Sequence, residues 1–589
     1  MGNLEIAKLL RNVAAAYTIK DERKFHFQIV AYQKAADSIE NSPTQLQDYY
    51  KDGKLDTVAG IGISIKGHLE ELFTKGKVKY FEWALEGVPP TAFVLMDIPS
   101  FGPKKAYRLV EEFGLTNPGT VIKDLKDLAQ KGKVAPLKGF GEKSQKDILR
   151  AISEFKEGKG KTTRMVLPYA SEIADGIIDH LRKCPDVADA RVLGSLRRCL
   201  PTVGDIDIAV ASNNPTSVLD HFVSYPHIER VIEKGKETSS ILTSGGKQVD
   251  LMVQPIENFG SLLQHFTGSK NHNVALREFS LRKNLSLSEH GIKDLTRKNS
   301  GIQHYSSEEK FYQAIGLSWI PPEIRENTGE IELAAKNSLP KLIKTREILG
   351  DFHIHSSFPI EPSHDLGKNT IGEMTKKAIS LGYKLLGFSE HNPSISKHTP
   401  EEIYKLIELR NKNIEHVLSG TKSIRILKLL ETDILPTGKL AIDNKSLRLL
   451  DFTVVSIHSV FSMDKESMTK RVLMGLSHPK AKVLAHPTGR LLNDRPGYEL
   501  DWPKVLSFCK KYHKALEINA WPTRLDLSDQ IVRQAVEQKV KMIINTDSHA
   551  VDQMDNMKYG VAIARRGWAQ KSDILNTLDY NKFIKWTKL

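Results

Sequence analysis

The chain has 589 residues, more than one hydrophobic core can serve, so three or four domains are expected. Its 40% hydrophobic and 26% charged residues suit a soluble globular protein, and the lack of any apolar run long enough to cross a bilayer excludes a membrane-spanning helix. A net charge of +14 favours a polyanionic partner, and Cys184, Cys199 and Cys509 fit neither a disulfide framework nor a metal-binding spacing, which suits a reducing cytoplasm.

The opening segment "MGNLEIAKLLRNVAAAY" has the periodicity of an amphipathic helix, not the charged-then-apolar form of an export signal. Residues 1 to 88 are expected as a domain of short amphipathic helices, with apolar spacing from Ala31 to Ile39 and turn signals at Ser42, Pro43 and Gly53. Within it, "VAGIGISIKGHLEEL" puts Gly60 and Gly62 in a tight turn ahead of a helix. The form recurs in "MDIPSFGPKKAYRLVEEF", with Phe101, Gly102 and Lys104, and more weakly in "LKGFGEKSQKDILRAI". In a helix-hairpin-helix unit the glycines leave backbone amides and the positive helix end open to a DNA phosphate. Ordinary tight turns between packed helices are the plain alternative. Residues 89 to 158 are expected as a second, fingers-like DNA-binding subdomain, ending at the spacer "EFKEGKGKTTR".

Beyond residue 160, short β-rich runs alternate with helices. In "VLGSLRRCLPTVGDIDIAV" the strand period of two puts Asp205 and Asp207 on one face and Ile206, Ile208 and Val210 on the other. Neighbouring carboxylates repel unless a cation lies between them. Asp250 occupies another strand-like run, "KQVDLMVQ", and three acids on neighbouring strands suit two Mg2+ ions, which bridge carboxylates to substrate phosphates. Upstream, Gly194 and Ser195 offer backbone approach, while Arg197 and Arg198 supply forked phosphate donors. D-x-D alone is ordinary solvated strand edge. Its coupling to G-S-x-R-R and to a later strand aspartate argues for chemistry.

"GSLRR", "VGDIDIAV", "VDLMV" and "HFTGSKNHNVALRE" together resemble the palm and thumb of a family X DNA polymerase, and the similarity extends through the hairpins to the first residues. The resemblance implies an α+β nucleotidyltransferase palm over residues 159 to 256 and a thumb over 257 to 325. It implies that Asp205, Asp207 and Asp250 are catalytic and hold Mg2+ or Mn2+, and that Gly194, Ser195, Arg198 and Gly204 hold a deoxynucleoside triphosphate (dNTP). His265, Phe266, Gly268 and Asn273 would line its sugar and base, with Arg277 on the minor-groove side and a monovalent cation at the hairpins. Two departures stand out. His265 replaces the family's usual tyrosine, and His68 stands where some members carry a Schiff-base lysine, a bond an imidazole cannot form. Lys66, about 200° away around the helix, is a poor substitute. Of the family's 5′-phosphate pocket Tyr32 and Lys34 remain, with Phe27 and Gln28 where basic side chains are usual. Gap binding with weak or absent deoxyribose-phosphate lyase activity is expected.

A polar helical linker over residues 326 to 345 leads into residues 346 to 589, where β-like runs end in charged residues: "DFHIHS", "GFSEHN", "LLETDI", "SIHS", "LAHPTGR" and "NTDSHA", with "SHDLGKNT" close behind the first. That rhythm argues for a βα-barrel with its chemistry at the strand ends. Mixed imidazole and carboxylate ligands suit Zn2+ or Mn2+. The block resembles the polymerase and histidinol phosphatase (PHP) domain of bacterial and archaeal family X polymerases, which implies a distorted TIM-like α/β barrel. By that resemblance His353, His355, Asp365, His391, Glu431, His458, His486, Asp547 and His549 are the ligands of three ions, Mn2+ and/or Zn2+, in a 3′–5′ exonuclease or related phosphoesterase. Glu390 is expected beside the metals, Arg490, Glu517 and Asn519 in support, and an expansion around "FPIEPSH" is expected to displace Asp365.

The whole reads as a multidomain chain, helical, then α+β, then α/β, that fills short gaps and trims 3′ ends. Gapped or primer-template DNA and dNTPs are the expected partners, with no membrane, a monomeric state and a place near the nucleoid. Two other readings stay open: one centre alone is active, or a DNA-binding scaffold carries vestigial sites.

Overall fold

The computed structural model describes the chain except residues 2, 41–45, 52, 54, 59–60, 99–100, 157–163, 298–300, 421–422 and 496. Ser42, Pro43, Gly60, most of the spacer before residue 164 and the side chain of Lys34 lie outside the described residues. The chain divides into two units, residues 1–165, 175–184 and 216–251, and residues 166–174, 185–215 and 252–589.

In the first unit the helices expected to be short begin with a 19-residue one, Asn3–Asp21. Its Ile6, Leu10, Val13 and Tyr17 recur at three- and four-residue spacing and are fully buried against Ala35, Ala36 and Ile39 of His26–Glu40. Each hairpin helix starts at an extended glycine, Gly62 before Ile63–Lys75 and Gly102 before Pro103–Phe113. Pro103 opens the second with its preset φ, and Gly114 ends it in the left-handed region at φ 58°. One core, around Leu10, Leu69 and Phe81, underlies the first hairpin, and another, around Leu95, Leu109, Leu125 and Ile152, the second.

In the second unit Asp189–Val192 pairs antiparallel with Ile206–Ala211, in the first Ile228–Lys234 pairs antiparallel with Thr238–Thr243, and the division between units falls inside Gln248–Gln254. In Ile206–Ala211, Ile206, Ile208 and Val210 are fully buried and Asp207 half-buried, as the alternation requires. Ala209 and Ala211, on the Asp207 face, are covered by Phe259, Leu262 and Leu263 of the helix Phe259–Thr267.

The segment expected as a polar linker is folded into the second unit. Ile331, Ala334 and Leu342 join a core with Phe311, Tyr312, Ile320 and Trp568, and Glu330 is buried against His272. Charged residues around this short apolar spacing hid it in the sequence.

Eight parallel strands follow, in sheets of three and five: Gly350–Ile354, Leu385–Phe388 and Arg425–Lys428, then Glu431–Asp433, Thr453–Ser456, Ala481–Leu484, Ala515–Asn519 and Met542–Asn545. Bridges from Ile354 to Ser548 and from His391 to Glu431 join the sheets at both edges. Arg425–Lys428 and Glu431–Asp433 are successive halves of one stave, so among the described residues the eight strands close as seven staves, one fewer than a TIM barrel. Phe352, Leu429, Val454, Val483 and Ile543 fill the interior. Phe583 of Tyr580–Thr587 stacks on Phe352 at 4.3 Å and closes the end where the strands begin.

Candidate active sites

In the palm, a four-residue helical turn, Gly194–Arg197, follows the strand Asp189–Val192. Gly194 has φ 55°, and an added Cβ would lie 3.0 Å from Asp207 Oδ2, so a side chain is opposed by both conformation and space. The glycine thereby holds the turn's backbone against the Asp207 carboxylate. Ser195 lies half-buried in the same turn, Gly204 half-buried between strands, and Asp205 exposed just ahead of Ile206–Ala211. Asp250, within Gln248–Gln254, accepts from Ser240 Oγ, and Gln248 Nε2 donates to its two oxygens at 3.0 and 3.1 Å.

Arg198, expected on a triphosphate, already has partners. Its Nε donates to Glu326 Oε1 at 3.0 Å, and its Nη1 to the Thr267 carbonyl. Burial lowers its pKa, with Glu326 opposing. Arg197 reaches Glu308 at 2.6 Å, and the fully buried Arg325 reaches the same carboxylate at 2.6 Å. Burial pushes the Glu308 carboxyl up, but the two guanidiniums outweigh it and hold its pKa down at about 2.

The helix Phe259–Thr267 carries His265 and Phe266, and Phe266 packs on the core of Leu193 and Ala209. Gly268 follows at φ 69°, where an added Cβ would lie 3.0 Å from Arg198 Nη1. Asn273 Nδ2 donates to the His265 carbonyl at 2.7 Å, and Arg277 Nη2 and Glu289 Oε2 lie 3.5 and 3.7 Å from His265 Nδ1. Burial lowers the pKa of this imidazole against the charge of Glu289. His265, Asn273 and Arg277 are thus brought together, and Gly268 is set against Arg198.

In the first unit, His68 Nδ1 lies 2.9 Å from the Tyr32 hydroxyl, and its ring stacks on Tyr80 at 4.5 Å. Burial lowers its pKa. Lys66 is paired with Asp56 at 3.6 Å, away from this stack. Tyr32 and Phe101, both expected at DNA, are buried in the two helical cores, where their rings remove more apolar area from water than a surface position would. Lys104 is ion-paired with Glu22 at 2.6 Å on the surface. A Cβ added to Gly62 or Gly102 would meet nothing within 4 Å, so both hairpin glycines face open space.

At the barrel's strand ends one carboxylate organises the histidines. Glu431 lies 3.2 Å from His353 Nε2, 2.9 Å from His391 Nδ1, 3.3 Å from His458 Nε2, 2.8 Å from His486 Nε2 and 3.7 Å from His355 Nε2. Asp547 faces His353 and His355 at 3.4 and 3.2 Å. Asp365 faces His391 and His549 at 3.3 and 3.7 Å. The expected displacement of Asp365 therefore does not occur. The longer loop is pinned by Ser363 N to Asn392 O at 2.8 Å and Gly367 N to Ser356 O at 3.0 Å. A Cβ on Gly367 would lie 2.0 Å from His355 O, a close approach that only glycine allows.

Supporting side chains aim the ligands. Glu517 accepts from His353 Nδ1 at 2.7 Å and from the His486 backbone amide at 2.7 Å, and Asn519 and Asn545 donate to it at 3.0 and 2.9 Å. Glu390 stands off the cluster, accepting from Ser356 Oγ at 2.5 Å and Arg410 at 3.1 Å. Arg490, expected as a support, is instead committed to the carbonyls of Arg524 and Leu525. Arg524 is the arginine beside the centre, 3.7 Å from Asp547. His364 and Asp433, outside the expected ligand set, also stand here. With His458 their donor atoms fall within 4.8 Å of one another. The doublets "HD" and "ETD" carry that signal, each offering a second donor beside Asp365 or Glu431.

The donor set fits divalent cations. Donor atoms gather within 4.8 Å in three overlapping groups: His353, His355, Glu431 and Asp547; His355, His391 and His549; and His391, Glu431 and His458. His353 Nε2, His355 Nδ1, His391 Nδ1, His486 Nδ1, His549 Nε2 and Glu431 Oε2 are buried with no hydrogen-bond partner. Buried orphan donors and acceptors are costly, and a cation bound by nitrogen and oxygen removes the cost.

Residues 262–326 match the DNA polymerase beta thumb, and residues 1–78 match a helix-hairpin-helix domain. The chain is 33% identical to the DNA polymerase/3′-5′ exonuclease PolX of Bacillus subtilis, covering 99% of this chain and 100% of that protein. It is 20% identical to DNA polymerase lambda of Rattus norvegicus over 55% of this chain and 56% of that one. A probable phosphatase of Thermoanaerobacter is 25% identical over 40% of this chain and 94% of its own length. With palm, thumb and hairpins joined to a histidine-lined barrel, the chain belongs to the PolX family of DNA polymerase/3′-5′ exonucleases.

Proposed function

We propose that the palm fills short gaps in DNA while the barrel trims or cleans 3′ ends. Asp205, Asp207 and Asp250 hold Mg2+ or Mn2+ in the first centre, and the nine barrel ligands hold three ions, Mn2+ and/or Zn2+, in the second. When bound, the cations activate the attacking oxygen and neutralise charge on the phosphate. Ser195, Gly204 and the backbone at Gly194 receive the triphosphate. Arg198 joins them by exchanging Glu326 for a phosphate. His265, Phe266, Gly268 and Asn273 border the sugar and base, and Arg277 the nascent pair. In the barrel, Glu431 and Asp547 orient the imidazoles, while Glu517 fixes which nitrogen of His353 is free.

The domain limits at residues 88, 158, 256, 325 and 345 and the action as a monomer belong to the same proposal, as does a monovalent cation at the hairpins. Gly60, Gly62, Gly102, Lys34 and Lys104 are proposed at the DNA backbone. Tyr32 and Phe101 support those contacts from inside the cores. His68, stacked on Tyr80 and bonded to Tyr32, makes no imine, so borohydride with 5′-deoxyribose-phosphate DNA should trap no covalent adduct. An adduct would refute that part.

The orphaned atoms around Glu431 carry the reading of an active barrel over a vestigial one. The test is primer extension on gapped DNA, run beside digestion of 3′-labelled DNA. Asp205→Ala should abolish extension and keep digestion, and His353→Ala the reverse. Extension surviving Asp205→Ala, or digestion surviving His353→Ala, would sink the corresponding assignment.

A further inference from the structure

The barrel's other end carries a second constellation, in which lysines precede two strands whose far ends lead to His486 in one case and to Glu517 and Asn519 in the other. Lys480 precedes Ala481–Leu484, Lys482 lies within it, and Lys514 precedes Ala515–Asn519. The parallel register of Val483 with Ala515 sets Lys482 beside Lys514 on the outward face of the barrel wall. Both are more than nine-tenths buried, at 8% and 5% exposure. Their stems are buried and their ammonium groups meet side by side at a cleft, where like charges repel unless something negative joins them.

No acid does. Lys514 Nζ donates to the carbonyls of His478 and Ala481 at 3.1 and 2.6 Å, and Lys480 Nζ to that of Leu450 at 2.5 Å. The Lys482 ammonium has no hydrogen-bond or ion-pair partner among the described residues. All three line a cleft of about 730 Å³ with Lys588. Its one acidic side chain, Asp451, accepts from the Lys428 amide at 2.7 Å. Burial and then Lys482 depress Lys514 to about 8, and burial and then Lys480 lower Lys482. Phe508 and Tyr512 border the cleft with ring centroids 4.6 Å apart, and Tyr512 is exposed. The volume is that of a small-molecule site.

We infer that this cleft binds a nucleoside phosphate, its phosphate held by Lys480, Lys482 and Lys514 and its base lying against Tyr512. A phosphate supplies the missing acceptors, and an aromatic face stacks any base. The ligand class is also the chemistry of the chain's own work, since deoxynucleoside phosphates enter one reaction and leave the other. The site lies away from the metal-type cluster, because the parallel strands run from the lysines to the end that carries His486, Glu517 and Asn519.

The test is isothermal titration of the full chain in EDTA with a deoxynucleoside monophosphate, inorganic phosphate and a single-stranded oligonucleotide, comparing wild type, Lys482→Met and Lys482→Arg. Comparison with Lys482→Met isolates the cleft from phosphate contacts elsewhere. The monophosphate should bind at least tenfold more weakly to Lys482→Met and almost normally to Lys482→Arg. Binding near pH 8 should take up protons, because the phosphate raises the Lys514 pKa. In wild type alone, the monophosphate should also protect Lys514 from an amine-acylating reagent, a readout that needs no variant to fold. Equal binding by wild type and Lys482→Met, or unprotected Lys514, overturns the site. Lys482-dependent binding of the oligonucleotide alone overturns its assignment to a free nucleotide, and inorganic phosphate binding as tightly as the monophosphate overturns the role of the base.

Discussion

Glu431 faces five imidazoles between 2.8 and 3.7 Å, and its neighbours respond in opposite directions. Burial works against the charged form of His353, yet Glu517, Asp547 and Glu431 outweigh it and hold its pKa well above the usual histidine value. Burial, then His549 and His391, hold His355 well below. Both rings face carboxylates, but His355 is also packed against the imidazoles of His549 and His391, at 4.0 and 4.6 Å between ring centres, and with burial they outweigh Asp547. Glu308 shows the same balance without a metal-type partner. Its carboxyl is held at about 2, so its contribution of about 3 kcal/mol is present above the ordinary glutamate pKa and is lost as pH falls towards 2. Glu308→Gln should cost about 3 to 5 kcal/mol at neutral pH, because Arg197 and Arg325 are left unpaired under cover. Denaturant melts at pH 7 and pH 3 check both statements. A variant as stable as wild type at pH 7 would show that the triad is not stabilising.

At the scale of elements, the turn Gly194–Arg197 is what fixes the palm. Gly194→Ala adds a Cβ 3.0 Å from Asp207 Oδ2 at a positive φ, so extension should fall at least tenfold while digestion on the barrel is unchanged. Extension at the wild-type rate would mean the turn yields freely. That G-S-x-R-R meets D-x-D was legible, because strand alternation and residue chemistry are local. What Arg198 touches was not, since Glu326 is 128 residues away and only packing brings it near. The loop with Asp365 failed for a related reason. An insertion is visible in a sequence, but its anchors, Asn392 O and Ser356 O, are backbone atoms of other segments. The barrel's strands were legible as apolar runs ending in ligands, whereas the break that makes one stave of two strands was not, because "RILKLLETD" reads as continuous.

For the whole molecule, polymerase and exonuclease belong to one chain with an excess of 14 positive charges, and its metal-type donor groups lie at the barrel's strand ends. The charge suited DNA without identifying it, and the motifs supplied the identification. The linker expected at 326–345 proved to be a packed segment, since its few apolar residues find a core that local composition does not reveal. Both activities act on the same kind of end, so they can be followed on one substrate. The most direct measurement is the length of a 5′-labelled primer on gapped DNA with dNTPs and Mn2+, in wild type, Asp207→Asn, His355→Ala and the double variant. Wild type should give lengthened and shortened primers, Asp207→Asn shortened only, His355→Ala lengthened only, and the double variant neither. Lengthening by Asp207→Asn, shortening by His355→Ala, or loss of both products in either folded single variant would contradict two separate centres.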